Sequence, residues 1–500
     1  MGTPFLSLSL QSVCLPPPSR LCRIRSFKED LKGQRVAVIG LGISGKAATR
    51  LALARGASVL AIDKDEQLFP FKHDPEHPQN SNLQMMLGDC DHTQLGNADK
   101  IVVSPGVPLE EYGLSSLIES GRKVMSELDF ATEVLPQNVK ILAVTGTNGK
   151  STVASFAGQM LDHLGIKTFV GGNLGTPLSE AAISCLSSSS TTHIYQVVVV
   201  EVSSYQLEIT NNYFSPSVAV VLNLTPDHLE RHKSMLNYAA VKCSLFSHMK
   251  DDKLALLPIG NPYLDEAFST YAKRCNIAGI GDFPGLKLDM EAKVATCNIP
   301  KSGLFRKLQL GDLRAIGDHN FLNAAVAAFL VLGLDVGIDC HSINSIVKRL
   351  TLLPHRMQVV CTNSYGITWV DDSKATNVES TSTGLISLRN RKSVVLLGGL
   401  SKASSDQTSN GFERLVELLE PHRAVITFGA SGEMIYRTLL NSGLSIPCIK
   451  AGNLKEAIKC AKFFAVEGDM VLLSPGCASF DEFRNFEHRG RVFQELALHS

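Results

Sequence analysis

Residues 141–152 read ILAVTGTNGKST. Ile141 to Val144 make a buried-type strand, and the turn that follows carries Gly146, Gly149, Lys150 and two hydroxyls ahead of a helical stretch. A strand, a glycine-bearing turn and a helix place backbone N–H groups and the positive end of a helix dipole where a phosphate can sit. In that frame Gly146, Thr147, Asn148 and Gly149 cradle phosphates, Lys150 reaches the β- and γ-phosphates, and Ser151 or Thr152 reaches Mg2+. The spacing is G-x-x-G-K-S, shorter than the common G-x-x-x-x-G-K-S. A chance turn is a poor competitor for this set, so the stretch reads as an ATP site in an α/β domain.

Working outward, two apolar runs, Val197 to Val202 and Val218 to Leu222, read as strands of a parallel sheet covered on both faces. Glu201 ends the first, where a Mg2+ ligand belongs in such a domain, although a solvated strand-end acid has the same local sequence. Asp227-His228 follows the second. Glu201, Asp227 and His228 together are expected to form a metal cluster of hard oxygens plus one imidazole. Lys242, in NYAAVKCSLF, reads by itself as a solvated helix lysine.

Upstream, Val36 to Ile39 run into Gly40-x-Gly42-x-x-Gly45 and a helix to about Arg55, and a second strand, Ser58 to Ile62, ends at Asp63. This matches the dinucleotide-binding fingerprint, with an acid about 20 residues on. The turn suits a pyrophosphate, and both NAD and a UDP-sugar contain one, so the nucleotide stays open; a tight turn with no ligand is the bland alternative. Gly40, Gly42, Ser44, Gly45 and Asp63, with Ser104 and Gly106 after the strand Lys100 to Val103, are the candidate contacts. Pro136 to Lys140 reads as a linker. After Leu353-Pro354, strands near Thr368, Ser393, Ala424 and Met470 alternate with helical stretches. The fold class is α/β in three consecutive domains: a Rossmann-like domain over 34–135, a P-loop ATPase-like domain over 138–353 and a second Rossmann-like domain over 354–500.

Lys+Arg and Asp+Glu both number 48, so no global field points to nucleic acid or an anionic membrane, and anions must be gripped locally. The 12 cysteines include no C-x-x-C pair, which argues against a zinc knuckle or disulfide scaffold. The first 28 residues are basic, Ser-rich and free of acid, and residues 1–30 read as a transit peptide or as a disordered N-terminus.

Taken together, TGTNGKST, GGNLG (171–175), EVSSYQLE, TPDHLERH, GDHNFLNAA (317–325), LPHR (353–356), DDSKATN (371–377) and SPGCASFDEFRNFEHRG (474–490) resemble the Mur ligases, in the family's order and over residues 34 to 493. DSKATN and CASFDEFRNFEHRG are similar to the D-glutamate-adding branch. The resemblance implies an ATP-dependent ligase acting on UDP-MurNAc-L-alanine and D-glutamate in peptidoglycan precursor synthesis, with Mg2+, as a monomer without membrane insertion. It implies Glu201 and His228 as Mg2+ ligands with Ser151, Lys242 as a carbamylated lysine, and Asn173 beside the muramoyl substrate. Lys150, His228 and Lys242 would be the catalytic set. Asn320 and Asn323 match residues around the adenine, while Arg356 and Asp372 would be brought over ATP by closure of the third domain. Lys374, Thr376, Ser479 and Phe486, with Lys402 in GGLSKASSD, match the D-glutamate pocket. After Asp63 the chain reads Lys64-Asp65, and no uracil contact is carried over there. Combined with the resemblance, the leader points to a plastid.

Three rivals remain. A folylpolyglutamate synthase-like ligase shares the central chemistry but not a UDP-binding first domain. An NAD-dependent oxidoreductase leaves the P-loop unexplained. A non-catalytic descendant would have kept the phosphate positions without the reaction.

Overall fold

The computed structural model describes residues 30–68, 81–88, 92–173, 175–187, 194–210, 213–250, 252–271, 275–301, 304–315, 317–388, 391–401 and 410–499. The basic leader and Lys402 lie outside the described residues, as does most of the Ser-rich stretch after Leu186.

Three sheets succeed one another along the chain, as the α/β reading requires. The first has five strands in the order Leu83–Leu87, Ser58–Asp63, Arg35–Ile39, Lys100–Val103, Val124–Ser126, all parallel. Arg35–Ile39 sits at its centre, so the glycine turn after Ile39 opens where the strand order reverses, the place where open α/β sheets bind ligands.

The second sheet has nine strands. Lys140–Thr145 pairs in parallel with Val197–Glu201 on one side and Val218–Val221 on the other. Every residue of Val197–Glu201 and Val218–Val221 is buried, the environment their unbroken apolar runs require. The helix Lys150–His163 packs on one face with His319–Gly333. This sheet goes beyond the sequence reading: Gly285–Asp289, Val294–Asn298 and Phe305–Gln309 add an antiparallel extension at its far edge.

The third sheet has six strands, with Met470–Gly476 between Thr368–Asp371 and Ser393–Gly398. One edge strand, Gln358–Thr362, is antiparallel, so the sheet is not wholly of the parallel type. Among the described residues no helix is long and apolar enough to cross a membrane.

The first two sheets are tied together by buried polar contacts. Asp129 accepts from the backbone N–H groups of Tyr213 and Phe214 at 2.7 and 2.9 Å, and Glu127 accepts from that of Ser179 at 2.5 Å. Both acids lie on the helix Glu127–Thr132, N-capped by Ser126.

Candidate active site

The first glycine turn lines a cavity of about 430 Å3. Gly40 has φ +83°, and a Cβ there would lie 2.8 Å from Val107 Cγ2. A Cβ on Gly45 would lie 1.8 Å from the Gly40 carbonyl oxygen, so helix and turn pack too closely for any side chain. Ser104 Oγ donates to that same carbonyl at 2.6 Å. Asp63 shapes the turn, because its two oxygens accept from the backbone N–H groups of Leu41 (2.6 Å) and Asp65 (3.0 Å). Gly42, Ser44 and Gly106 line the same space, and Gly172, Asn173 and Gly175 of the second sheet close its far wall. Asn173 then leads onward: its amide donates to Glu201 Oε1 at 2.9 Å.

Glu201 and the P-loop share the carboxyl ends of neighbouring strands, with Val144 paired to Glu201. Gly146 and Gly149 have φ +144° and +84°, and a Cβ on Gly149 would lie 2.8 Å from Asn323 Oδ1. Lys150 Nζ folds back onto its own loop, donating to the carbonyls of Gly146 (2.9 Å) and Thr147 (2.8 Å). Asn323 donates to Asn320 Oδ1 at 3.2 Å. A cavity of about 340 Å3 opens between the second and third sheets, lined among others by Asn148, Gly149, Thr152, Asn320, Asn323, Arg356, Asp372 and Lys374. Across it Arg356 Nη2 donates to Ser151 Oγ at 3.1 Å, a contact between residues 205 apart that docks the third domain on the P-loop. Asp372 accepts from the Met357 backbone N–H (3.2 Å) and from Ser474 Oγ (2.8 Å).

Burial lowers the proton affinity of Lys150, Arg356 and Lys374, with the nearby Glu201 carboxylate opposing the effect in each case. Burial pushes the Asp372 carboxyl up to about 7, its hydrogen bonds to Ser474 and Met357 opposing. Three cations thus gather around few acids in a poorly solvated space, which suits a polyanion. Glu201 Oε2 is buried with no protein partner, an oxygen able to take a cation.

Lys242 is 1% exposed, not solvated as its local sequence reads. Its Nζ donates to the Gly146 carbonyl at 2.9 Å and lies 4.3 Å from the centre of the Tyr238 ring. Burial, and next the Lys150 charge, hold its proton affinity well below the usual lysine range. His228 starts a one-turn helix with φ +52°, its Nδ1 2.9 Å from Tyr205 Oη and its Nε2 3.4 Å from Asp227. Among the described residues no three His, Cys, Asp or Glu side chains come together to hold a metal ion. Glu201, Asp227 and His228 are therefore not drawn into one cluster: Asn173 holds one Glu201 oxygen and leaves Oε2 without a protein partner, while His228 stands on a separate turn with its Nδ1 against Tyr205.

Lys374 lines the second cavity, its Nζ 4.8 Å from the centre of the Phe486 ring. The Thr376 backbone N–H bonds to the Lys374 carbonyl at 2.9 Å, and Ser479 is buried just beyond the strand Met470–Gly476. Arg489 organises this corner, donating to Ser373 Oγ and to the carbonyls of Ser373, Cys477 and Ala478. His355 Nδ1 lies 2.6 Å from buried Asp371, bracing the turn that carries Arg356.

Sequence reasoning missed Arg489, His355 and Asn223. Asn223 clamps the P-loop: its Oδ1 accepts from the N–H groups of Thr147 (3.1 Å) and Asn148 (2.8 Å), and its amide donates to the Asn148 carbonyl. Its signal was available, an amide placed after an apolar strand in the phosphate-binding domain.

Three stretches match known domains: residues 34–126 the Mur ligase MurD-like N-terminal domain, 144–331 the Mur ligase middle domain, and 355–477 the Mur ligase glutamate ligase domain. The UDP-N-acetylmuramoylalanine–D-glutamate ligase of Koribacter versatilis is 33% identical over 475 residues, covering 93% of this chain and 98% of the relative. The enzyme of the same name from Rubrobacter xylanophilus is 35% identical over 467 residues, with the same two coverages. Among solved structures, the MurF ligase of Thermotoga maritima in complex with ADP aligns with a TM-score of 0.56 at 17% identity, covering 95% of this chain and 97% of that one. The folylpolyglutamate synthase of Mycobacterium tuberculosis aligns at 0.52 and 16%, covering 76% and 94%. At those identities the structural likenesses speak for the fold.

Proposed function

Given that this chain belongs to the Mur ligase family, we propose that it joins D-glutamate to UDP-N-acetylmuramoyl-L-alanine using ATP, through an acyl phosphate. The observation that carries this reading is the Asn173–Glu201 contact, which links the far wall of the first cavity to the strand end beside the P-loop. A substrate with its pyrophosphate at Gly40–Gly45 can then present its other end to the γ-phosphate.

The free carboxylate of that end attacks the γ-phosphorus and ADP leaves. The amine of D-glutamate attacks the acyl carbon, loses a proton, and phosphate departs from the tetrahedral intermediate. Two anions meet in the first step, so its barrier falls with preorganised positive charge. Lys150 and Arg356 supply that charge from opposite sides of the loop. Asn320 and Asn323 hold the adenine end, and Asp372 sits on the third-domain side of the nucleotide. Lys374, Thr376, Lys402, Ser479 and Phe486 hold D-glutamate, a lysine and hydroxyls suiting its carboxylates. Mg2+ would be held by Ser151, Glu201 and His228 with carbamylated Lys242, and it would neutralise phosphate charge; the unpartnered Glu201 oxygen fits that role. Carbamylation would convert the Lys242 amine, by addition to CO2 with loss of a proton, into an anion compatible with a neighbouring cation.

This reading divides the chain into a UDP-substrate domain over 34–135, an ATP domain over 138–353 and an amino-acid domain over 354–500. The basic, acid-free leader supports delivery to the plastid stroma, which a fusion of residues 1–30 to a fluorescent protein tests by its location.

The chemistry is tested by incubating the protein with ATP, Mg2+, bicarbonate, UDP-MurNAc-L-alanine carrying 18O in its carboxylate, and D-glutamate. One 18O is expected in the released phosphate. Phosphate free of the label would refute the acyl phosphate.

A further inference from the structure

The turn that carries His228 is not held by its own backbone. Its helix, Leu229–His232, has four residues, too few to be stable alone, and the residues at its two ends, His228 and Lys233, have φ +52° and +67°. Left-handed conformations cost such residues free energy and persist only where the surroundings impose them. Two side chains of the turn supply that hold. His232 Nε2 lies 3.0 Å from Ser204 Oγ, and Arg231 grips the Glu208 carboxylate with Nε and Nη2, the latter at 2.6 Å.

Arg231 also reaches beyond its own domain. Its Nη2 donates to the Val107 carbonyl at 3.1 Å, 124 residues away. Val107 lines the first cavity, its Cγ2 2.8 Å from where a Cβ on Gly40 would lie. The same guanidinium stands with its Cζ 4.8 Å from the centre of the Tyr205 ring. Tyr205 lies on the helix Ser204–Leu207, just after the strand that ends in Glu201, and a capping box between Ser203 and Gln206 fixes the start of that helix. Its Oη is 2.9 Å from His228 Nδ1. One chain of contacts thus runs from the wall of the first cavity to an imidazole, through Val107, Arg231 and Tyr205.

We propose that Tyr205 and Arg231 are positioning residues for His228, Tyr205 setting which ring nitrogen carries the proton and Arg231 tying that ring to the wall of the first cavity. The inference rests on the reading that His228 takes part in holding Mg2+. The phenol oxygen at 2.9 Å and Glu230 Oε1 at 3.5 Å give Nδ1 two acceptors, so the ring proton stays there and the Nε2 lone pair is left to a cation. A ring with its proton on Nε2 offers a cation no lone pair at that atom. Arg231 steadies the phenol through its face and holds carboxylate, carbonyl and ring at once. That combination needs a planar fork, which a lysine lacks.

The test measures Mn2+ binding to the ADP-loaded full chain, UDP binding, and the 15N shifts of the His228 ring before metal is added, in the wild type and in Tyr205→Phe and Arg231→Lys. The wild-type ring is expected to carry its proton on Nδ1. Tyr205→Phe, which loses only the hydroxyl, should mix the two tautomers and weaken Mn2+ binding by about tenfold, as loss of a ligating histidine's partner does, with UDP affinity unchanged. Arg231→Lys should weaken Mn2+ and UDP binding together, by about fivefold or more each. In turnover, Tyr205→Phe raises the Mg2+ concentration needed for half-maximal rate and leaves KM for the UDP substrate alone. A Tyr205→Phe protein with wild-type 15N shifts and wild-type Mn2+ affinity would overturn the inference. Equal loss of UDP and Mn2+ in that variant would overturn it too, because a phenol that only supports the fold shows no such split. A wild type that binds no Mn2+ would instead overturn the reading of His228 as a ligand, and this inference with it.

Discussion

At Gly40 and Gly149 the backbone does the same thing, φ +83° and +84°, after a parallel strand and ahead of a helix. The surroundings differ. From Gly40 to Gly45 there is no charged side chain, and Asp63 beside the turn is bound to main-chain N–H groups. Around Gly149 stand Lys150 and, from other elements, Lys242, Arg356 and Lys374, all buried enough to lose proton affinity. A glycine turn alone suffices to hold a phosphate; it takes desolvated charge to make one react. The first turn should therefore govern affinity and the second rate.

The sharpest way to break this contrast is Lys150→Ala. We expect kcat to fall by about a thousandfold with binding of the UDP substrate unchanged. A matching loss of UDP-substrate affinity in a calorimetric titration would show that the turns do not divide the work. Next in size is Lys242→Ala, with kcat down by about a hundredfold or more and partly restored by a short carboxylic acid. Full wild-type turnover in that variant would remove Lys242 from the chemistry. Gly45→Ala tests the other turn. Its Cβ cannot coexist with the Gly40 carbonyl, so UDP binding should weaken by about tenfold or more while ATP binding persists. Equal loss of both ligands would mean that the first domain has unfolded the second.

The smallest expected effect concerns the joint between the two turns. Burial pushes the Glu127 carboxyl up to about 7, against the hydrogen bonds from Ser179. A carboxyl raised in the folded state favours folding most when protonated, so its contribution is fully present below the usual carboxylate range and is lost as pH rises through about 7. Asp372 acts in the same direction at the other joint. Glu127→Gln should flatten, without abolishing, the fall of Tm between pH 5 and 8 that these groups produce. Unchanged slopes in a thermal melt series would contradict the assignment.

Much of the contrast was legible in the sequence, and the reasons are local. ILAVTGTNGKST and VAVIGLGISG name their strands and turns because every residue of those strands serves one neighbourhood, buried on both faces. The antiparallel strands from Gly285 to Gln309 escaped notice because they are short, half exposed and paired with one another at the sheet edge. The resemblance singled out Lys242, but its local sequence read as solvated, because nothing in NYAAVKCSLF reveals that Gly146, 96 positions away, takes its amine. Asn223 and the Arg356–Ser151 contact are long-range in the same sense, though LPHR itself marked the arginine. For His228 the motif was visible, but its left-handed turn and its contact with Tyr205 were not, and the three residues expected to cluster from their strand-end positions are not drawn together among the described residues.

The most direct test of the account is phosphate release by the chain from residue 30 on, given ATP, Mg2+, bicarbonate, UDP-MurNAc-L-alanine and D-glutamate, with each component omitted in turn and L-glutamate substituted for the D form. The account predicts release that needs both acceptor and amino acid and fails with L-glutamate. Release that proceeds equally with L-glutamate, or none at all while ATP still binds, would contradict it.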